Sequence, residues 1–256
     1  MAGRLQDKFA LVTGGGRGYG AAIAQGLAGE GAHVAIHYNT SGAGAEATAE
    51  RIRALGREAL TVQGDLMKWS DIRRVAAYVH DRFGRIDILV NNVGDVAPEQ
   101  MSWRDVNEDL IDRVLAVDVK GTMLMTHEVG LRMVEQRAGV IVNIGSQVVV
   151  KGSPRAPQYA AAKYGVIGLT KSYAHALAPH VRVNALGPGF IETETTTSRR
   201  DWQTGRREEI LEQTPLRHLP QAEELVGPVV FLASDDARHI TGAFLVCNGG
   251  YSMVGA

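Results

Sequence analysis

Short apolar, β-branched runs alternate along the chain with longer amphipathic stretches. The runs cover 9–12, 33–37, 59–62, 86–90, 140–144, 181–185 and 244–247. Between them, residues 19–29, 44–55, 71–83, 109–136 and 158–177 have the spacing of helices with one apolar face. Strands that read as nearly continuous hydrophobic runs are buried on both faces, as in a parallel sheet covered by helices. The pattern predicts an α/β fold, a doubly wound parallel sheet of about seven strands with helices on both faces, as one domain over residues 1–256. Ligands of such sheets bind beyond the carboxyl ends of the strands, so residues there carry the functional information. Segment 192–219 breaks the rhythm. It is polar and rich in threonine and arginine, with a weak helical pattern over 206–213. A substrate lid is its expected role, with a solvated insertion as the alternative.

At 256 residues and 45% hydrophobic, the chain can bury a large core. Its formal net charge of −1 supplies no global positive field, so neither nucleic acid nor an anionic membrane surface is an expected partner. No apolar stretch approaches the length of a membrane span or a signal sequence. Cys247 is the only cysteine, which excludes an intramolecular disulfide and fits a reducing compartment, with the cytoplasm as the expectation. The eight histidines have no ligand-like spacing, and no metal is expected.

The first strand runs into Thr13-Gly14-Gly15-Gly16-Arg17-Gly18-Tyr19-Gly20 and then a helix. Glycines let the backbone turn sharply and approach a pyrophosphate, while the free N–H groups of the helix supply donors. This placement makes the sheet Rossmann-like. The spacing differs from the common G-x-G-x-x-G fingerprint. The second strand ends in His37-Tyr38-Asn39-Thr40-Ser41, where an NAD-binding relative of this architecture would carry an acid for the ribose. No carboxylate stands there to repel a 2′-phosphate, and Arg17 could pair with one. NADP(H) is therefore favoured over NAD(H), although Thr40 and Ser41 could equally cap the next helix. Asp65 and Leu66 after the third strand, and Asn92, Val93 and Gly94 after the fourth, lie where the adenine and ribose would run.

Tyr159 and Lys163 stand four residues apart in an amphipathic stretch, so a helix puts them on one face. An ammonium beside a phenol favours the phenolate and suits the tyrosine to acid–base work. Ser146, just past the fifth strand, falls at the same sheet edge, where its hydroxyl could hold a substrate oxygen.

Together these motifs resemble the short-chain dehydrogenase/reductase family, in order and over nearly the whole chain. They are Thr13–Gly20, Asp65-Leu66, Asn92-Val93-Gly94, Ser146, the Tyr159–Lys163 box, the run Pro188-Gly189-Phe190-Ile191-Glu192-Thr193, and the closing Thr241-Gly242 to Asn248-Gly249-Gly250. Within the family, the ending and the Pro188–Thr193 run look most like 3-oxoacyl-[acyl-carrier-protein] reductases. The resemblance implies that Ser146 orients a carbonyl, that Tyr159 exchanges the proton, and that Lys163 binds the nicotinamide ribose. Gly14, Gly18, Gly20, Pro188 and Gly189 would line the cofactor, and Ile191 and Thr193 would meet the nicotinamide carboxamide. It further implies a homotetramer built through the helices at 109–136 and 158–177. Three positions depart from the pattern. Tyr19 replaces an isoleucine or leucine and Val93 an alanine. Asp118 stands where the family has a fourth catalytic residue, an asparagine.

The function these residues imply is NADP(H)-dependent reduction of a ketone, with 3-oxoacyl thioesters on an acyl carrier or CoA among the candidate substrates. The rival readings are an NAD(P)-dependent dehydrogenase of a small or aromatic alcohol, and a dinucleotide-binding regulator without turnover. Residues 95–103, 147–157 and 192–219 are expected to shape the pocket, and Arg199, Arg200, Arg206 and Arg207 could form a basic patch for an acyl carrier.

Overall fold

The structure, a computed structural model, describes residues 3–95 and 102–253. Residues 96–101, part of one expected pocket-shaping segment, lie outside it. Seven parallel strands form the sheet: β1 (Phe9–Val12), β2 (His33–Tyr38), β3 (Ala59–Gln63), β4 (Ile88–Asn91), β5 (Gly139–Ile144), β6 (Val181–Pro188) and β7 (Phe244–Cys247), in the order β3-β2-β1-β4-β5-β6-β7. The order reverses between β1 and β4, so a crevice opens above that pair at the sheet's carboxyl edge. Register is direct: Leu11 pairs with Ala35 on one side and Leu89 on the other.

Helices α1 (Gly18–Gly29), α2 (Gly42–Ala54) and α10 (Val226–Ala233) belong to one face, where they bury Ile23, Leu27, Ile52 and Val229 with Val34 and Ile36 of β2. Helices α3 (Trp69–Phe83) and α5 (Thr122–Glu135) cover the other, packing Ile72, Val75, Met125 and Met133 on Leu11, Leu89 and Ile141. Each such side chain contributes roughly 1.5–3 kcal/mol when withdrawn from water. The helix expected over 109–136 is two α-helical pieces, α4 (Glu108–Val114) and α5, joined through a π turn at Leu115–Gly121. A π turn inserts one residue per turn and rotates the side chains that follow it.

Elements without a clear pattern in the sequence include α10, the short α6 (Val148–Lys151), α8 (Glu194–Thr197), and the 3₁₀ turn Ala222–Leu225. The long α7 (Pro157–Ala176), with proline in its first turn, and α9 (Arg207–Gln213) agree with expectation to within two residues. Among the described residues, no helix is long and apolar enough to cross a membrane.

Candidate active site

The crevice holds a cleft of about 670 Å³ that runs from the end of β2 to segment 192–219. Its cofactor half begins at the glycine turn. Gly14 and Gly18 adopt φ of +66° and +53°, the left-handed region that favours glycine. At Gly20 a Cβ would strike the Gly14 carbonyl, so only glycine lets α1 start this close to the loop. Arg17 occupies the N-cap of α1 without capping it through its side chain, which leaves first-turn N–H groups to an anion in the cleft. Neighbouring loops are tied to this turn. Thr13 Oγ1 accepts from Asn92 N and Val93 N at 2.9 and 3.2 Å, and Asn92 Nδ2 donates to Thr13 O at 3.0 Å.

His37, not anticipated from the sequence, connects two further loops. Its Nδ1 accepts from Gly14 N at 3.3 Å and its Nε2 lies 3.0 Å from Gly64 O, which assigns the proton to Nε2. Burial, only partly opposed by the bond to Gly64, pushes its pKa down to about 4. The ring is neutral at any ordinary pH. Strand alternation could have pointed to it, since Ile36 and Tyr38 face α1 and α2 while His37 does not.

The same alternation turns the Tyr38 side chain to the other face. It does not line the cleft; its ring lies over Gly42, where a Cβ would be 3.2 Å from Cε2. His37, Asn39, Thr40 and Ser41 line the cleft instead, with Arg17 exposed beside them. Ser41 takes the N-cap position of α2 but its hydroxyl makes no capping bond, which leaves that oxygen to a ligand. Tyr19 is buried and donates to Leu225 O at 2.8 Å, tying α1 to the 3₁₀ turn before α10; burial raises its pKa far above the ordinary phenol value. Asp65, Leu66, Asn92, Val93, Gly94, Pro188, Gly189, Ile191 and Thr193 all line the cleft.

At the centre, α7 presents Tyr159 and Lys163, which are 6% and 3% exposed. Lys163 Nζ lies 5.6 Å from the Tyr159 ring centroid and donates to Ile144 O at 3.2 Å. Ser146 Oγ accepts from Val148 N at 3.2 Å, which leaves its proton to donate into the cleft. The π turn aims Asp118 at Lys163: Oδ1 lies 2.8 Å from Nζ, an ion-pair distance with angles outside ordinary hydrogen-bond geometry. Oδ2 accepts from Asp95 N at 2.8 Å. Gly94 leaves room for the pair, because a Cβ there would be 2.8 Å from Lys163 Nζ. Burial lowers the Lys163 pKa, but the Asp118 and Tyr159 charges and the contact with Asp118 outweigh it, so the net direction is upward. Asp118 is fully buried and does not line the cleft. Its contact with the catalytic side chains is through Lys163.

The family described as short chain dehydrogenase matches residues 8–204. The chain belongs to that family. It is an NAD(P)-dependent oxidoreductase, with the family's sheet and helices. A 3-oxoacyl-[acyl-carrier-protein] reductase, FabG, of Staphylococcus epidermidis is 39% identical over 248 residues, covering 96% of this chain and 100% of its own. A putative short-chain alcohol dehydrogenase of Sinorhizobium meliloti superposes with a TM-score of 0.89 at 35% identity, over 97% of this chain and 98% of its own. A Serratia marcescens short-chain dehydrogenase/reductase mutant gives 0.88 at 33%, over 98% and 100%.

In this short-chain dehydrogenase, the donor set of the cofactor half fits a dinucleotide: glycines without side chains, uncapped N–H groups, and no carboxylate at residues 37–41. The expected basic patch is largely neutralised. Arg199 pairs with Asp201 at 2.9 Å, Arg206 with Glu209 at 2.7 Å and Arg207 with Glu192 at 2.6 Å. Only Arg200 of the four has no carboxylate partner among the described residues. Segment 192–219 carries its own apolar cluster, with Trp202, Ile210 and Leu219 packed on Phe190, Leu211 and Tyr251.

Proposed function

We propose that this enzyme is an NADP(H)-dependent reductase of ketones, in which Tyr159 is the proton donor. The observation that carries the reading is that Tyr159, Lys163 and Ser146 meet in the same cleft as the glycine turn. A nicotinamide dinucleotide held by the glycine turn with Arg17 and Ser41 would supply the hydride that the carbonyl carbon accepts. Ser146 donates a hydrogen bond to the carbonyl oxygen and fixes its position. As charge develops there, the Tyr159 hydroxyl gives up its proton, and the product is a secondary alcohol. The Lys163 ammonium stabilises the phenolate left behind, and Asp118 together with the Ile144 carbonyl holds that ammonium in place.

NADP(H) rather than NAD(H) is supported by Arg17, by the uncommitted Ser41 hydroxyl and by the missing acid at the end of β2. Candidate substrates include the 3-oxoacyl thioesters that the names of the relatives suggest. Assembly as a homotetramer is part of the reading. Leu115, Met123, Leu131 and Val134 around α5, and Tyr164 on α7, are exposed along the two helices that would meet. Light scattering should then report about four times the 27.5 kDa chain mass. The test of function is NADPH oxidation across 3-oxoacyl thioesters, simple ketones and quinones. Reduction of quinones alone would overturn the ketone assignment.

A further inference from the structure

The substrate half of the cleft has two polar groups that the chemistry above leaves unused. Gln147 is 7% exposed, lines the cleft next to Ser146, and its Oε1 is buried without a hydrogen-bond donor. An unsatisfied buried acceptor costs about 1–3 kcal/mol, so a donor brought to it by a ligand gains from both ends. Lys151 stands four residues on, at the other end of the single turn α6. Gln147 has helical dihedrals (φ −57°, ψ −18°), so the two side chains share one side of that turn, about 6 Å apart along its axis.

Lys151 is exposed, and no carboxylate lies within ion-pair distance of it among the described residues. Its ammonium sits 3.6 Å from the centre of the Tyr251 ring, which is itself edge-on to Phe190 at 5.4 Å. The other charges lining this half are Arg199, held by Asp201, and Arg206 with Glu209, held by each other. The local balance is therefore positive, and Lys151 is its uncommitted member.

We propose that the substrate is a short ketone with a hydroxyl beside its carbonyl and an anionic group about one helical turn beyond it. Ser146 and Tyr159 take the carbonyl oxygen, Gln147 Oε1 accepts from the hydroxyl, and Lys151 pairs with the anion. The aromatic wall of Tyr251 and Phe190 shields that pair from water on one side. A long neutral acyl chain uses neither polar group. This assignment rests on the ketone-reductase reading.

The experiment is a set of matched substrates with the whole enzyme and NADPH: oxo acids from 3-oxobutanoate to 5-oxohexanoate against their methyl esters, each ketone against its analogue hydroxylated beside the carbonyl, and hydroxyacetone phosphate against hydroxyacetone. The best anion should exceed its neutral partner in kcat/KM by roughly tenfold or more. Lys151→Gln should erase that ratio and leave the hydroxyl ratio intact. Gln147→Leu should do the reverse, with the Kd for NADPH, read by fluorescence, unchanged in both. Anion ratios near one, or ratios that survive Lys151→Gln, overturn the subsite alone. A Gln147→Leu enzyme that loses NADPH affinity but keeps its hydroxyl ratio assigns that oxygen to the cofactor and overturns its part in substrate recognition. Reduction of none of these ketones or of the thioesters overturns the reductase reading itself.

Discussion

Asp118 and Lys163 form a buried ion pair, Oδ1 to Nζ at 2.8 Å, with side chains 0% and 4% exposed. A buried charge whose partner is removed is left uncompensated, at a cost of about 3–5 kcal/mol. Asp118→Ala is therefore expected to destabilise the fold by about 3 kcal/mol, measured by urea denaturation.

Asp118→Asn separates charge from packing, since an asparagine can still accept from Asp95 N. Removing one negative charge next to the lysine favours ionisation of the neighbouring phenol. In the alcohol-oxidation direction, the rising limb of the kcat/KM profile should move down by about one pH unit, with maximal rate retained. Superimposable profiles would show that the pair sets the lysine's position and not the proton equilibrium. A large loss of maximal rate would give the carboxylate its own part in catalysis.

Tyr159→Phe is expected to lower kcat by about 10³-fold or more while the Kd for NADPH changes less than about twofold, because only the exchanging hydroxyl is lost. Lys163→Ala should weaken both, and it also strands Asp118. Stopped-flow turnover and fluorescence titration check the two effects separately. A phenylalanine variant with near-normal rate would remove Tyr159 from the proton step.

Cofactor choice should respond to Arg17 and Asn39 but not to Tyr38, whose ring lies over Gly42 outside the cleft. Wild type should bind NADPH more tightly than NADH. Asn39→Asp should reduce that preference by roughly tenfold through repulsion of the 2′-phosphate, and Arg17→Ser by a similar factor. Calorimetric titration with both dinucleotides measures the ratio, and equal affinities in wild type would contradict the reading.

His37 makes stability depend on acid. Its folded pKa, about 4, lies below the unfolded value of 6.5, so the folded form resists the proton. The stability from the neutral ring is complete above pH 6.5 and is lost as pH falls toward 4. Between pH 7.5 and 4.5 this amounts to about 2 kcal/mol. A His37→Gln protein should be less stable at neutral pH but should lose correspondingly less over that range, and parallel pH curves for the two would show that the loss comes from other groups.

All seven strands could be read from the sequence because the inner strands are near-continuous apolar runs, and the outer β3 and β7 are short, largely apolar and rich in β-branched or aromatic residues. The glycine turn, Ser146 and the Tyr159–Lys163 spacing were equally plain, since each is local. Helix α10 was missed because Val226-Gly-Pro-Val-Val-Phe-Leu-Ala233 is apolar all round, with no periodicity, and carries glycine and proline. Val148-Val-Val-Lys151 has the composition of a strand yet forms a helical turn between Ser146 and Gly152. Tertiary contacts decide the remainder. Nothing near Asp118 in sequence signals Lys163, and the π turn that brings them together has no pattern at the level of residue type. Position along a strand does not by itself give the face to which the pleat assigns a side chain, which is why Tyr38 and His37 at the end of β2 point to different sides.

The cluster under segment 192–219 also gives the protein an optical reporter. Of its three tryptophans, Trp69 and Trp103 are 43% and 53% exposed, while Trp202 is 4% exposed and packs 6.1 Å from Phe190, a residue of the cleft wall. The first two already meet solvent over about half of their surface, so their emission has less room to shift. Movement of the segment away from Phe190 and Tyr251 hydrates Trp202, whose spectrum has the farthest to shift to the red. The colour of the protein's own fluorescence therefore tracks the position of this segment without a label, and a ligand that seats against Phe190 reports its arrival through the indole on the other side of that ring.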